Sequence, residues 1–110
     1  MPLYQAQAEF FRALGHPARI RVLELLSERP TAVHELLASI EIEASILSQH
    51  LSVLRRAGLV AQRREAGEVT YSLAIPEVRD LLDAARHILE AQGAQRGTLV
   101  EELMRDHNTG

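Results

Sequence analysis

The sequence predicts a mainly α fold with one small β-hairpin, in the order α-α-α-α-β-β-α. Three observations carry that prediction. Apolar residues recur at three- and four-residue spacing through four segments before Gly58 and again after Pro76. Between them, Val69, Tyr71 and Leu73 alternate with Thr70 and Ser72, a period of two. The 110 residues are 46% hydrophobic and 25% charged, which suits one compact domain over 1–110, with no second domain beside it. A core of that size often gains from dimerisation.

The elements follow in order. Leu3, Ala6, Phe10, Phe11 and Leu14 make the stripe of a first helix over about 3–14, which Gly15 can end. Pro17 opens a second helix over about 17–28, lined by Ile20, Val22, Leu23, Leu25 and Leu26, and the Glu28-Arg29-Pro30 corner stops it. Thr31 is expected to cap a short third helix over about 32–39, patterned on Val33, Leu36, Leu37 and Ile40. In a fourth, over about 44–57, Ala44, Leu47, Leu51 and Leu54 are expected to face the core, and Gly58 stops it. A hairpin over about 59–73 turns at Ala66-Gly67. Pro76 fits the start of a long helix over about 76–92, with Val78, Leu81, Leu82, Ala85, Ile88 and Leu89 on one stripe and Gly93 as its stop; a weaker helix is expected over 98–105.

Composition removes several kinds of function. With no cysteine there is no disulfide scaffold, thiolate metal site, thiol switch or cysteine nucleophile. No apolar run approaches the roughly 18 residues of a membrane span, and no cationic, cleavable leader opens the chain, so a cytoplasmic protein is expected. A net charge of −3 at first speaks against a nucleic-acid partner. Its distribution does not: residues 44–73 hold four arginines against two acids, whereas 1–43 hold four against six and 74–110 four against seven. All twelve cations are arginine, the residue suited to bidentate phosphate and guanine contacts, although a GC-rich genome produces the same bias.

Two short helices joined by a tight connection and followed at once by a hairpin form a helix-turn-helix, over about 32–57, with a β-wing over about 59–73. The second helix of such a pair fits a major groove about 12 Å wide. With its leucines facing inward, this one leaves Ser45, Ser48, Gln49 and Ser52 outward. Gln can read adenine, Ser can donate to bases or phosphates, and Arg55 and Arg56 at the helix end and Arg63 and Arg64 in the hairpin can neutralise backbone charge. A merely solvated polar face is the alternative; the coincidence of small polar groups and two Arg pairs in one net-positive segment outweighs it. Enzymatic readings fail: Ser48 and His50 point to different sides of a helix, and no glycine-rich phosphate loop is present.

The run Phe10-Phe11-Arg12-Ala13-Leu14-Gly15-His16-Pro17-Ala18-Arg19-Ile20-Arg21-Val22-Leu23 resembles the opening signature of the ArsR/SmtB family of winged-helix repressors. Leu47-Ser48-Gln49-His50-Leu51-Ser52-Val53-Leu54-Arg55-Arg56-Ala57-Gly58-Leu59-Val60 resembles its recognition helix and entry to the wing. Over about residues 8–90, the resemblance implies a homodimer joined through helices 3–14 and 76–92, bound to an imperfect palindrome in double-stranded operator DNA and released by an effector. By position it implies Ser45, Ser48, Gln49 and His50 as recognition-helix residues, with Arg63, Arg64 and Gly67 in the wing. Glu43 departs from the serine usual there, and would repel phosphate unless it caps the helix.

The histidines bear on sensing. His16 is expected to cap and pack, His50 to meet a phosphate or pack beneath its helix, and His107 to lie in a tail. His34 falls where the family has the second Cys of a Cys-x-Cys site, with Ala32 at the first, so thiolate sensing of soft ions is excluded and a lone surface His is the default. His87 and Glu90, three apart on one helix face with Asp83 a turn earlier, resemble the second half of the family's Zn/Ni/Co site; the first half falls on Ala74 and Pro76, which cannot ligate, so a complete site needs substitutes such as Glu77, Asp80 or Asp83 arranged across the dimer. Helix ion pairs on a solvated face are the competing reading. The expected protein is a dimeric, sequence-specific DNA-binding regulator, a repressor modulated by Ni(II), Zn(II) or Co(II) at His87, Glu90 and Asp83. Control by a non-metal ligand or a regulatory protein partner is the alternative, and a winged-helix interaction module without DNA is a third reading.

Overall fold

A computed structural model describes the backbone of residues 1–109 and the side chains of residues 1–93. The chain forms two compact units, Met1–Arg79 and Asp80–Gly110. The first unit holds α1 (Leu3–Leu14), α2 (Pro17–Glu28), β1 (Thr31–Ala32), α3 (Val33–Ile40), α4 (Ala44–Arg56), β2 (Val60–Glu65) and β3 (Glu68–Leu73). The second is built on α5 (Glu77–Thr109), whose first residues belong to the first unit. No helix among the described residues is long and apolar enough to cross a membrane.

The core sits among α2, α3, α4 and the sheet. Val22, Leu23, Leu26, Leu36, Leu47, Leu51, Leu54, Leu59 and Val60 are buried there, and each such side chain contributes about 1.5–3 kcal/mol by leaving water. Leu14 anchors α1 and Val78 anchors the start of α5, where Arg79 Nε also donates to the Ser27 carbonyl at 2.8 Å.

A sheet of three antiparallel strands replaces the expected lone hairpin, in the order β1-β3-β2. Thr31 faces Tyr71 and Ala32 faces Thr70. Thr31 therefore does not cap α3: its backbone is in the ladder, its hydroxyl donates to the Arg29 carbonyl at 2.9 Å, and Ala32 takes the N-cap position with no side-chain bond. The wing itself runs from Val60↔Leu73 to Glu65↔Glu68 and turns through Ala66 (φ 51°) and Gly67 (φ 78°). Two central residues with positive φ are what a type I′ hairpin turn requires.

Two glycines behave differently from one another. After α4, Gly58 has φ 76°, its N–H donates to the Arg55 carbonyl at 3.0 Å and the Leu59 N–H to the Leu54 carbonyl at 3.0 Å. This is a Schellman stop, sealed by the buried Leu54 and Leu59. Gly93 stops nothing: α5 continues through it, joining the two segments expected to separate between 92 and 98. A lone helical glycine costs only about 1 kcal/mol relative to alanine, too little to end a helix that continues on both sides.

Candidate nucleic-acid interface

Helix α4 is held by one face and free on the other. Leu47, Leu51 and Leu54 are buried, while Ser45, Ser48 and Gln49 are exposed and Ser52 is half-buried. Ala44, expected in the core, is exposed, because the first turn of α4 reaches beyond the packed leucines. Ser48, Gln49, Ser52, Arg55 and Arg56 line a shallow depression on the polar side. Short side chains there allow the helix axis to approach a groove floor closely.

Glu43 occupies the N-cap position of α4 without a side-chain cap; only its carbonyl is used, accepting from Ile46 at 3.1 Å and Leu47 at 3.0 Å. Its carboxylate is left to solvent at the helix start, where it weakens any phosphate contact.

His50 takes the second of its two expected roles, packing beneath its helix. Half-buried, it lies with its ring centroid 4.3 Å from that of His16, and its Nδ1 is 3.3 Å from an Arg19 guanidinium nitrogen. Burial, then the charges of His16 and Arg19, lower its pKa from the usual 6.5. A neutral, inward imidazole packs α4 against α2 and offers no cation to a phosphate. His16 caps α2 as expected, its Nδ1 accepting from the Ala18 N–H at 3.1 Å.

The four wing and helix-end arginines have distinct settings. Arg55 donates to the Gln62 side chain, joining the end of α4 to β2, and Arg56 Nε reaches the Ser52 carbonyl at 3.3 Å. Arg63 pairs with Glu65 at 3.2 Å in full solvent, an interaction worth little, and Arg64 is exposed. As strand neighbours, Arg63 and Arg64 point to opposite faces of the wing, so they cannot grip one phosphate together. Gly67 sits at the tip. Gln62 and Arg19 are not singled out by the sequence; their roles depend on side-chain contacts with residues 7 and 31 positions away.

The expected metal donors Asp83, His87 and Glu90 all lie on α5. Asp83 accepts from Arg86 at 2.6 Å, and no group of three His, Cys, Asp or Glu able to hold an ion occurs among the described residues. His87 and Glu90 are exposed on α5. The helix-pair reading describes Asp83. His34 is exposed at the surface, as expected, with its Nε2 against the Glu68 carboxylate. The His107 side chain lies outside the described residues.

Comparison with known proteins adds to this geometry. The family model "Bacterial regulatory protein, arsR family" matches residues 16–62. The chain is 52% identical over 103 residues to the uncharacterized HTH-type transcriptional regulator Rv0081 of Mycobacterium tuberculosis, covering 93% of this chain and 90% of the relative. The crystal structure of that protein superposes with a TM-score of 0.81, covering 87% of this chain and 97% of the other. The M. tuberculosis HTH-type transcriptional repressor SmtB is 37% identical over 86 residues, covering 77% of this chain and 64% of that one. The homodimeric winged helix-turn-helix DNA-binding domain of Mb0332 from Mycobacterium bovis, 25% identical, superposes with a TM-score of 0.73 over 86% of each chain.

Proposed function

The chain belongs to the arsR family of bacterial regulatory proteins, a transcriptional regulator rather than an enzyme, and from that membership we propose that it is a homodimeric cytoplasmic repressor that binds a palindromic operator in double-stranded DNA. The observation that carries the reading is the exposed Ser45-Ser48-Gln49 face of a core-anchored α4, continued by Arg55, Arg56, Arg63 and Arg64. Ser45, Ser48 and Gln49 read base edges, and the arginines and the Gly67 turn follow the phosphates. Two such helices enter successive major grooves about one helical turn apart.

A second copy is supported by exposed apolar groups. On α1, Leu3, Tyr4 and Phe11 are 74%, 70% and 54% exposed, and on α5 Ile88 and Leu89 are 59% and 63% exposed. Helices 3–14 and 76–92 thus each offer apolar side chains to a second copy, as exposed apolar helix faces commonly do. Fluorescence anisotropy with a labelled duplex from the protein's own upstream region tests the reading. Saturable binding, competed by unlabelled operator but not by scrambled duplex, is expected; equal competition by both overturns it.

Control by Ni(II), Zn(II) or Co(II) at Asp83, His87 and Glu90 would draw donors from both copies. Asp83 engaged by Arg86 supports the alternative of a non-metal ligand or a protein partner. Operator affinity is expected to stay within about twofold when each ion is added, and a loss of tenfold or more would reinstate metal control.

A further inference from the structure

Between α1, the start of α2 and the end of α4 lies a cleft of about 550 Å³, a size ordinary for small-molecule sites. Phe10 and Val53 give it an apolar, half-buried part, and Arg12, Arg19 and Arg56 stand around it against the single acid Glu9. None of these three arginines is ion-paired among the described residues. Arg19 is nevertheless held in place: Nε donates to the Ala13 carbonyl at 2.7 Å, one terminal nitrogen to the Arg12 carbonyl at 3.3 Å, and the other lies 3.3 Å from His50 Nδ1. A guanidinium has five N–H donors, so three contacts leave two for an anion.

We propose that this cleft is an effector site for a small flat organic carboxylate, an aromatic acid by chemical class, whose ring lies against Phe10 and Val53 and whose carboxylate is taken by the arginines. The inference rests on the operator-binding reading and gives it a ligand. An occupant is coupled to DNA in two ways. Arg19 joins the C-terminal carbonyls of α1 to His50 on the recognition helix, so an anion drawn to Arg19 changes what holds α4. Arg56 both lines the cleft and serves the phosphates, so a carboxylate there removes positive charge from the operator face.

The test uses the full chain with 1-naphthoate as probe and neutral 1-naphthalenemethanol as its control. Calorimetric titration should show saturable 1:1 binding of the acid per chain, about tenfold tighter than the alcohol, and Arg12→Gln should remove that preference while Arg12→Lys keeps part of it. Saturating naphthoate should lower operator affinity about fivefold or more in the wild type and less in Arg12→Gln. Equal affinity for acid and alcohol, or unchanged naphthoate binding in Arg12→Gln, overturns the site. A protein that binds its operator but not naphthoate also overturns the site and leaves the DNA reading intact. Naphthoate binding without any operator binding supports the site and overturns the DNA reading.

Discussion

Helices α4 and α5 both carry an apolar stripe beside a polar face, and they differ in where the stripe ends up. Leu47, Leu51 and Leu54 of α4 are at most 3% exposed, whereas Ile88 and Leu89 of α5 remain more than half exposed. A helix whose apolar side is satisfied within its own chain has only its polar side to offer, which suits a wet, charged partner. One whose apolar side is unsatisfied calls for another protein surface. On the proposed reading, the same amphipathic pattern serves DNA in one place and self-association in the other.

Four changes put this contrast to the test. Leu47→Ala should cost about 2–5 kcal/mol of stability, measured by urea unfolding; a cost under about 1 kcal/mol would mean that α4 is not anchored as described. Paired Ile88→Glu and Leu89→Glu substitutions should leave the fold intact by circular dichroism but shift sedimentation to the monomer, and operator affinity should fall at least about tenfold with it. An unshifted dimer would place the self-association surface elsewhere. Arg63→Ala with Arg64→Ala should weaken operator binding several-fold and make the dependence of log affinity on log salt shallower by about one for each phosphate the wing no longer neutralises. An unchanged slope would remove the wing from the interface.

The smallest effect concerns His50. Its pKa is lowered in the fold, so below the unfolded value of about 6.5 the unfolded chain binds more protons, and stability falls as pH drops through that region and on through the lower folded value. Urea midpoints should be flat from pH 8 to 7 and decline towards pH 5; His50→Gln should flatten the part of the decline that this residue causes. A midpoint that rises on acidification would show that the imidazole meets a stabilising acid, contrary to the Arg19 and His16 contacts.

What is legible in the sequence follows the range of the forces involved. The boundaries of α1, α2 and α4 and the hairpin are written in leucine spacing, glycine and proline, which act within a few residues. β1 is hidden because two residues carry no period, and their partners at Tyr71 and Thr70 lie far along the chain. Gly93 misleads because its local preference is outweighed by the length of helix around it. On α4, Ser45, Ser48 and Gln49 fall on the outer face by helical geometry alone, while the inward turn of His50 depends on His16 and Arg19, and the tie of Arg55 on Gln62 in the wing. Such tertiary contacts leave no periodic trace.

The two-rung pairing of β1 with β3 has an evolutionary consequence. It pins the hairpin at Tyr71 and Thr70, next to the core, and leaves the rungs from Arg64↔Val69 outward to the turn beyond the clamp. Descendants could lengthen or shorten the tip by two residues per strand, preserving which side chains share a face, without disturbing the leucines beneath α4. Wing length and the chemistry of the α4 face can thus change independently of one another.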